Sequence, residues 1–514
     1  MRPYLYLIPT IFFLILWSSC RKDFEYAPSA GHLEFSRDTV YLDTVFTNIG
    51  SSTYTLKVYN RNRDDVEIPS IRLGQGQNSQ YRLNVDGVAG KEFLNVPILA
   101  QDSLFIFIET TYDFSGNPGN EFLYIDAIQF DSGIYQQNVQ LVTLVKDAVF
   151  LYPSTLSDGT KETLVLGLDD NGNEIRTEGF YLAETQLNFT NQKPYVIYGY
   201  AVVDTGNVLS MDAGTRVYFH KDSGIYIAEG ASMTINGELS LDPELLENEV
   251  IFEGDRLERE FAEAPGQWGL IWMASGSTNN SMNHLTIKNA TIGVLVEGDE
   301  LLQSTTLTIR NTQIYNSSQT NLWANNAAIV AENMVLGGAG KNSLYCNIGG
   351  DYEFTHCTIA NYWKHGFRTG SALLIDNFKE TTSGVELNGD LVKAKFYNCI
   401  IDGSSNKELS LRSNEANIFN YSFNNCLIKY GYANGQDQGN PLYDFANTAY
   451  YNQIYLNEDA EFKDAPNNDF TIGETSFVEA KADLETSLLV PLDILGIDRT
   501  SSPEIGAYEI ILGQ

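Results

Sequence analysis

One asparagine recurs through the second half of the chain at nearly constant spacing, each time after an apolar residue and a variable one. The pattern reads Ile287-Lys288-Asn289-Ala290, Ile309-Arg310-Asn311-Thr312, Ala331-Glu332-Asn333-Met334, Phe354-Thr355-His356-Cys357, Ile375-Asp376-Asn377-Phe378, Phe396-Tyr397-Asn398-Cys399 and Phe423-Asn424-Asn425-Cys426. The steps between positions 289, 311, 333, 356, 377, 398 and 425 are 22, 22, 23, 21, 21 and 27 residues. A period in the twenties, with two or three short strand-like runs per unit and no Leu-x-x-Leu-x-Leu frame, constrains the fold to a β-solenoid. One unit is then one coil of a right-handed parallel β-helix, stacked on the next at about 4.8 Å.

The chemistry of the repeat fits a bend between strands. An amide tolerates a left-handed backbone and can bond the same amide one coil away. His356, the one departure, can also donate and accept. The ladder Asn289, Asn311, Asn333, His356, Asn377, Asn398 and Asn425 is therefore read as structural. The residue after each should face the core, stacking Cys357, Cys399 and Cys426 with Ala290, Met334 and Phe378.

The chain begins with Arg2, an apolar run from Leu5 to Trp17, and Ser18-Ser19-Cys20. A run of about 13 residues is too short for the roughly 20 that span a bilayer. Small residues before a Cys resemble the lipobox of bacterial lipoproteins, which implies signal peptide 1–19, lipidation at Cys20 and a polar tether over 20–30. The following Arg21-Lys22-Asp23-Phe24-Glu25 resembles the export signal that carries lipoproteins of the Bacteroidetes to the cell surface. That resemblance implies an outer-membrane protein, lipid-anchored and facing the exterior.

The 66 acidic residues against 32 basic give a formal charge of −34. A polyanion would be repelled, so nucleic acid is excluded as a partner. No cofactor is expected; the charge favours only weak cation binding, Ca2+ for example. No Cys-x-x-Cys or His-x-x-x-His pair offers a zinc site. With Cys20 lipidated and the other thiols mostly on the ladder, no disulfide framework is expected.

Residues 31–147 read differently. Runs such as Thr39 to Phe46, Tyr54 to Tyr59, Tyr81 to Val85, Leu104 to Glu109 and Phe122 to Phe130 alternate apolar and polar positions, with turn chemistry between them. About seven strands in this length predict an immunoglobulin-like β-sandwich. The Asp43 to Gly50 stretch resembles the opening strands of immunoglobulin-like domains of the abnormal-spindle type. Residues 148–194 are expected to be a packed connection, and 195–514 the β-helix with its C-terminal cap. Leu492 to Arg499 and Pro503 to Glu509 resemble the closing motif of bacterial right-handed β-helix proteins, where it caps the last coil. The fold expected is all-β, a sandwich followed by a solenoid of the pectate-lyase-like superfamily.

That superfamily includes lyases and hydrolases, so the fold alone does not choose a function. Catalysis needs carboxylates in register one coil apart, or clustered carboxylates holding Ca2+ with an Arg or Lys base. The strand segments supply neither. The best catalytic candidate gathers Lys364, His365 and Arg368 beside Tyr362 and Trp363. A lyase would use Lys364 or Arg368 as base with His365 as partner; the plainer reading is a coil corner. His220 and His284 stand alone. For binding, Trp268, Trp272, Trp323 and Trp363 are amphipathic groups that stack on sugars or anchor a protein. Trp268 and Trp272 read as one face of one strand, either core or a single exposed stripe. The sequence thus points to a non-catalytic surface lipoprotein binding a glycan or an outer-membrane protein complex. The alternative is a carbohydrate-active enzyme on an anionic glycan.

Overall fold

The computed structural model describes residues 26–511 apart from 114–120, 169–171, 244, 300–303, 382–383 and 432–436. Cys20 and the leader lie outside the described residues. The chain divides into two units, Met1–Asp147 and Ala148–Gln514.

The first unit is two sheets around one core. Val66–Leu73, Glu121–Phe130, Gln137–Lys146 and Thr39–Phe46 are neighbours in one sheet, with Glu92–Ile98 beside Val66–Leu73. Tyr54–Tyr59, Ser103–Thr110 and Tyr81–Val85 form the centre of the other. Alternation sends Leu56, Val58, Ile106 and Ile108 inward from the second sheet to meet Val40, Ile71, Ile128 and Leu141 of the first. Tyr81 crosses that core and donates to Tyr124 O at 3.1 Å. Two strands escaped the pattern because each carries a proline. Pro69 cannot donate to a ladder, and Asn95, with φ of 53°, lies opposite it. Both drop out of the register between Ile68↔Val96 and Ser70↔Leu94.

The second unit is a parallel solenoid of three sheets with 11, 10 and 10 strands. It starts earlier than Tyr195. Val149–Leu151 pairs in parallel with Tyr195–Ile197, Glu174–Tyr181 with Tyr200–Val203, and Asn188–Phe189 with Val208–Met211. The expected connection 148–194 is therefore the first coil. Its short strands, separated by long turns, hid it from a periodicity argument.

Inward rows of like side chains run through the solenoid because parallel strands stack residue on residue. In the third sheet Phe354, Phe396, Phe423 and Tyr451 occupy consecutive register positions. Their ring centroids are 4.9, 4.7 and 5.6 Å apart, close to the strand spacing.

The corner from the third sheet to the first carries the repeated polar residue. His284, Asn311, Asn333, His356, Asn398, Asn425 and Gln453 all have left-handed φ between 43° and 53° there. The ladder expected from sequence is corrected at two places. Asn289 belongs to the corner between the first and second sheets, where Asn316 is also left-handed. Asn377 leads into the hairpin Phe378–Glu380 and Glu386–Asn388 and donates to Asn414 O at 3.1 Å. Their spacing mimicked the period by coincidence of turn lengths. Asn333 Nδ2 donates to Asn311 Oδ1 at 3.0 Å, as a ladder requires. The run is interrupted between Asn333 and His356: the His356 ring meets Asn398 Nδ2 of the next coil at 3.0 Å, Ser487 Oγ at 2.9 Å and Gly506 O at 3.2 Å, and makes no bond to Asn333. Asn333 Oδ1 is consequently left without a donor among the described residues. Behind the ladder Met334, Cys357, Cys399 and Cys426 are fully buried, and these cysteines are free. Ala290 is buried at the other corner, and Phe378 is only half-buried on the hairpin.

The closing motif does more than cover the last coil. From about Asp459 the chain returns along the outer face of the first sheet as a strap. Phe470, Val478, Ile494, Ile505 and Ala507 bury against Val335, Ala360, Ile400 and Leu427. Beneath the strap the first sheet thus buries apolar residues on its outer face as well. The strap also reads the polar corner: Asn425 Nδ2 donates to Lys481 O at 3.3 Å, Asn398 Nδ2 to Asp483 O at 3.1 Å and Asn333 Nδ2 to Leu492 O at 2.9 Å. The last strand of the second sheet is closed differently, by the Tyr443 hydroxyl, which bonds both Leu411 N and Leu411 O.

The strap is folded around Arg499, 1% exposed, with Asp493, Glu504 and Glu509 also buried. Asp493 Oδ1 accepts from Leu495 N and Ile497 N at 2.8 and 2.7 Å, and Oδ2 from Glu509 N at 2.8 Å. Arg499 Nε is 3.2 Å from Glu509 Oε1, within ion-pair reach yet too poorly aligned for a hydrogen bond. Three carboxyls face one guanidinium, so burial and the neighbouring Glu504 push Glu509 up to about 9.

Two outcomes follow. Asn398 Oδ1 also accepts from Asp483 N at 2.8 Å. Asn398→Ala should therefore cost about 1–3 kcal/mol in denaturant unfolding and expose the strap to protease. An acid whose folded pKa is raised stabilises most below its unfolded value and loses that contribution as pH climbs through the folded value. Thermal melting should accordingly fall as pH rises from about 5 to about 9, and Glu509→Gln should flatten that fall.

Candidate functional site

The basic cluster singled out by sequence does not converge. Arg368 is buried and bonds Glu408, with Nη2 to Oε1 at 2.6 Å and Nη1 to Oε2 at 3.1 Å. Its Nη1 also donates to Asn361 O at 3.0 Å. Glu408, with no side-chain exposure, accepts further from Ser405 N at 2.7 Å and Ala372 N at 2.8 Å. A guanidinium committed in this way is no catalytic base. Lys364 points elsewhere, to Asn467 Oδ1. His365 sits edge-on to Trp363 at 5.1 Å on the exposed turn, its proton affinity lowered by partial burial and by Lys364. The cluster is a corner, pinned by one buried ion pair.

The tryptophans also separate. Trp268 is 1% exposed, stacks on Phe219 at 4.2 Å and donates to Lys288 O at 3.0 Å. It is core, and therefore withdrawn as a binding residue. Trp272 lies outward on Ile271–Met273, so the two do not share a face. Trp268 and Ile271 are buried with two half-buried residues between them, so the alternation breaks across Gly269-Leu270, and an added Cβ at Gly269 would stand 2.3 Å from Tyr200 Oη.

Trp272 and Trp323 do come together in a larger pattern. On the outward face of the second sheet the register places Tyr226, Trp272, Leu295, Trp323, Tyr345 and Leu374 in one row. All six are partly exposed. Tyr226 meets Trp272 edge-on at 5.3 Å, and Trp323 stacks with Tyr345 at 5.6 Å. Leu295 interrupts the rings between the two indoles, so Trp272 and Trp323 stand two strands, about 9.6 Å, apart. Two residues further along each strand runs a polar row of Glu297, Asn325, Asn347, Asp376 and Arg412.

The two rows are bonded to each other. Trp272 Nε1 donates to Glu297 Oε2 at 2.9 Å. Tyr345 Oη donates to Asn347 Oδ1 at 3.0 Å and Asp376 Oδ2 at 3.1 Å, and Arg412 pairs with the same carboxylate. Asn347 Nδ2 donates to Asn325 Oδ1 at 3.0 Å. Burial raises the proton affinity of Glu297, against the Trp272 N–H and the Lys379 charge, and raises that of Asp376 against Arg412. Trp323 Nε1 has no acceptor among the described residues. An added Cβ at Gly167 would stand 3.9 Å from Trp272 Cη2, so the hairpin of Thr163–Leu168 and Glu174–Tyr181 flanks the row.

Sequence reasoning found the two tryptophans and missed Tyr226, Tyr345, Glu297 and Asp376. Adjacent positions in the row are 46, 23, 28, 22 and 29 residues apart, because excursions of different length leave the solenoid between strands. Only the strand register aligns them. Among the described residues no three of His, Cys, Asp and Glu assemble as a metal site.

No known protein family matches the chain, and no curated protein does. Among solved structures, the catalytic domain of a GH87 alpha-1,3-glucanase in complex with tetrasaccharides is 12% identical. The match covers 73% of this chain and 81% of that one, with a TM-score of 0.24. A family 123 glycoside hydrolase from Clostridium perfringens is 10% identical over 23% and 27% of the two chains, with a TM-score of 0.16. An ASH/PapD-like domain of human CEP192 is 9% identical over 24% and 89%, also at 0.16. Likeness this loose carries no argument about activity.

The corner reading has a direct check. Arg368→Ala strands the Glu408 carboxylate and should destabilise by about 3–5 kcal/mol in denaturant melts. Lys364→Ala and His365→Ala, at exposed positions, should change stability by no more than about 0.5 kcal/mol.

Proposed function

We propose that this chain is a non-catalytic recognition protein, lipid-anchored at the outer membrane through Cys20, that binds a glycan along the outward face of its second sheet. The observation that carries this reading is the aromatic row beside the polar row. Sugar rings present apolar faces and a rim of hydroxyls, and a strip of Trp and Tyr flanked by amides and carboxylates complements both. Glu297 accepts hydroxyl donors and repels uronates, while Asp376, with no side-chain exposure, lies behind the face bonded to Arg412 and Tyr345. A neutral or amino-bearing glycan suits this face better than the anionic polymer considered from sequence. The anchor and the surface location rest on the leader sequence.

One feature favours hydrolysis as a second reading, the raised proton affinity of Glu297. A glycosidase pairs such an acid with a second carboxylate about 5–10 Å away. The neighbouring register position on the next strand is Asn325. Asp376 is three strands on, about 14 Å, and is held by Arg412. Binding is the function these positions support.

Trp272→Ala and Trp323→Ala should each weaken retention on an immobilised neutral glucan or on chitosan by roughly tenfold, since a stacked ring contributes about 0.5–1.5 kcal/mol beyond its buried area. Polygalacturonate should not be retained by the unaltered protein. Sugar release by the unaltered protein that disappears in Glu297→Gln would replace this reading with the hydrolase.

A further inference from the structure

The aromatic row does not stop at Tyr226. The register continues it backwards through Val202 to Tyr181 on the first coil. Val202 is 3% exposed. Tyr181 and Tyr226 therefore stand two strands, about 9.6 Å, apart, the same interval that Leu295 sets between the two indoles. From Tyr181 to Leu374 the row runs about 34 Å across the strands.

Tyr181 also lines a cavity of about 370 Å³. The floor is apolar, since Leu151 and Phe180 are buried against the core of the solenoid. Tyr152 and Tyr181, 61 and 55% exposed, stand at its mouth. Val149–Leu151 and Asn188–Phe189 are the first strands of their sheets, so no further coil carries the row onward from here.

The polar groups of the cavity are within reach of solvent. Glu162 is half-buried, and among the described residues it accepts from Ser154 N alone, at 3.4 Å. Gln186, also half-buried, accepts from Ala183 N at 2.9 Å through Oε1, which leaves its Nε2 to donate. Neither the Tyr152 nor the Tyr181 hydroxyl makes a hydrogen bond among the described residues. Two rings, one charged acceptor and one amide donor around an apolar floor match the apolar face and hydroxyl rim of a single sugar.

We infer that this cavity receives the terminal sugar ring of the glycan, with the rest of the chain lying along the row from Tyr226 onward. This rests on the glycan reading above and adds that the protein recognises a chain end. An open strip of rings on a sheet treats every segment of a polymer alike. A strip that runs into a cavity with an apolar floor does not, because an internal unit placed there would have to continue through Leu151 and Phe180. Glu162 makes the end neutral or amino-bearing, as a carboxylate there would face it directly.

The test titrates the full chain with one neutral glucan, as long chains and after partial acid hydrolysis to chains about a tenth as long, following the fluorescence of the exposed tryptophans. Equal masses of the two differ about tenfold in chain ends, so the half-saturating mass concentration should fall roughly tenfold on shortening. Tyr152→Ala with Tyr181→Ala should remove that gain by weakening the short chains roughly tenfold. The melting temperature should stay unchanged, because both side chains are more than half exposed. Equal half-saturating masses for long and short chains, or undiminished binding of short chains by the double variant, would overturn the chain-end inference while leaving the face intact. No response of the unaltered protein to either preparation or to chitosan would overturn the face and the cavity together.

Discussion

From His284 to Gln453, each strand of the third sheet passes into the first sheet through one or two residues, the first of them left-handed. Asn and His accept this conformation with modest strain and bring a side chain that can bond across coils. The strap depends on the same residues. Because the amides of Asn333, Asn398 and Asn425 face outward from the corner, their free N–H groups are where strap carbonyls attach. Corner geometry, amide ladder and strap are one mechanism.

His356 shows what happens when the mechanism is varied. The imidazole keeps the left-handed corner and gains Ser487 and Gly506 as partners. Its loss as a donor to the coil below leaves Asn333 Oδ1 bare. An interruption in the ladder is thus exchanged for attachment of the strap at its centre. Arg499 shows the same logic in the strap, where a buried charge with imperfect hydrogen bonds is retained because it gathers Asp493, Glu504 and Glu509.

How much of this could be read from the residues depends on what fixes each feature. The period, the β-helix and the buried cysteine stack were legible because a strand register and a left-handed corner each restrict residue type locally. Asn289 and Asn377 were misassigned because spacing alone cannot say which of three corners an Asn occupies. Trp268 and Trp272 were misjudged because the alternation breaks across Gly269-Leu270 without a turn motif. The strap was out of reach altogether. Its partners lie up to 195 residues away, as with Tyr508 and Gln313, and no local rule joins them. Of the face proposed for binding, Trp272 and Trp323 were visible as residue types, while the row they belong to exists only in the register.

The strap also sets the order in which the molecule can be finished. Coils near Asn333 and His356 are made about a hundred residues before the strap, and the outer face of their first sheet stays bare until the final fifty or so residues arrive. A chain emerging from its N-terminus therefore carries an incomplete apolar wall over the last hundred or so residues before the strap is complete. Completion is signalled only by the arrival of the tail, so a truncated copy would be defective in its middle coils and recognisable there to a quality-control protease.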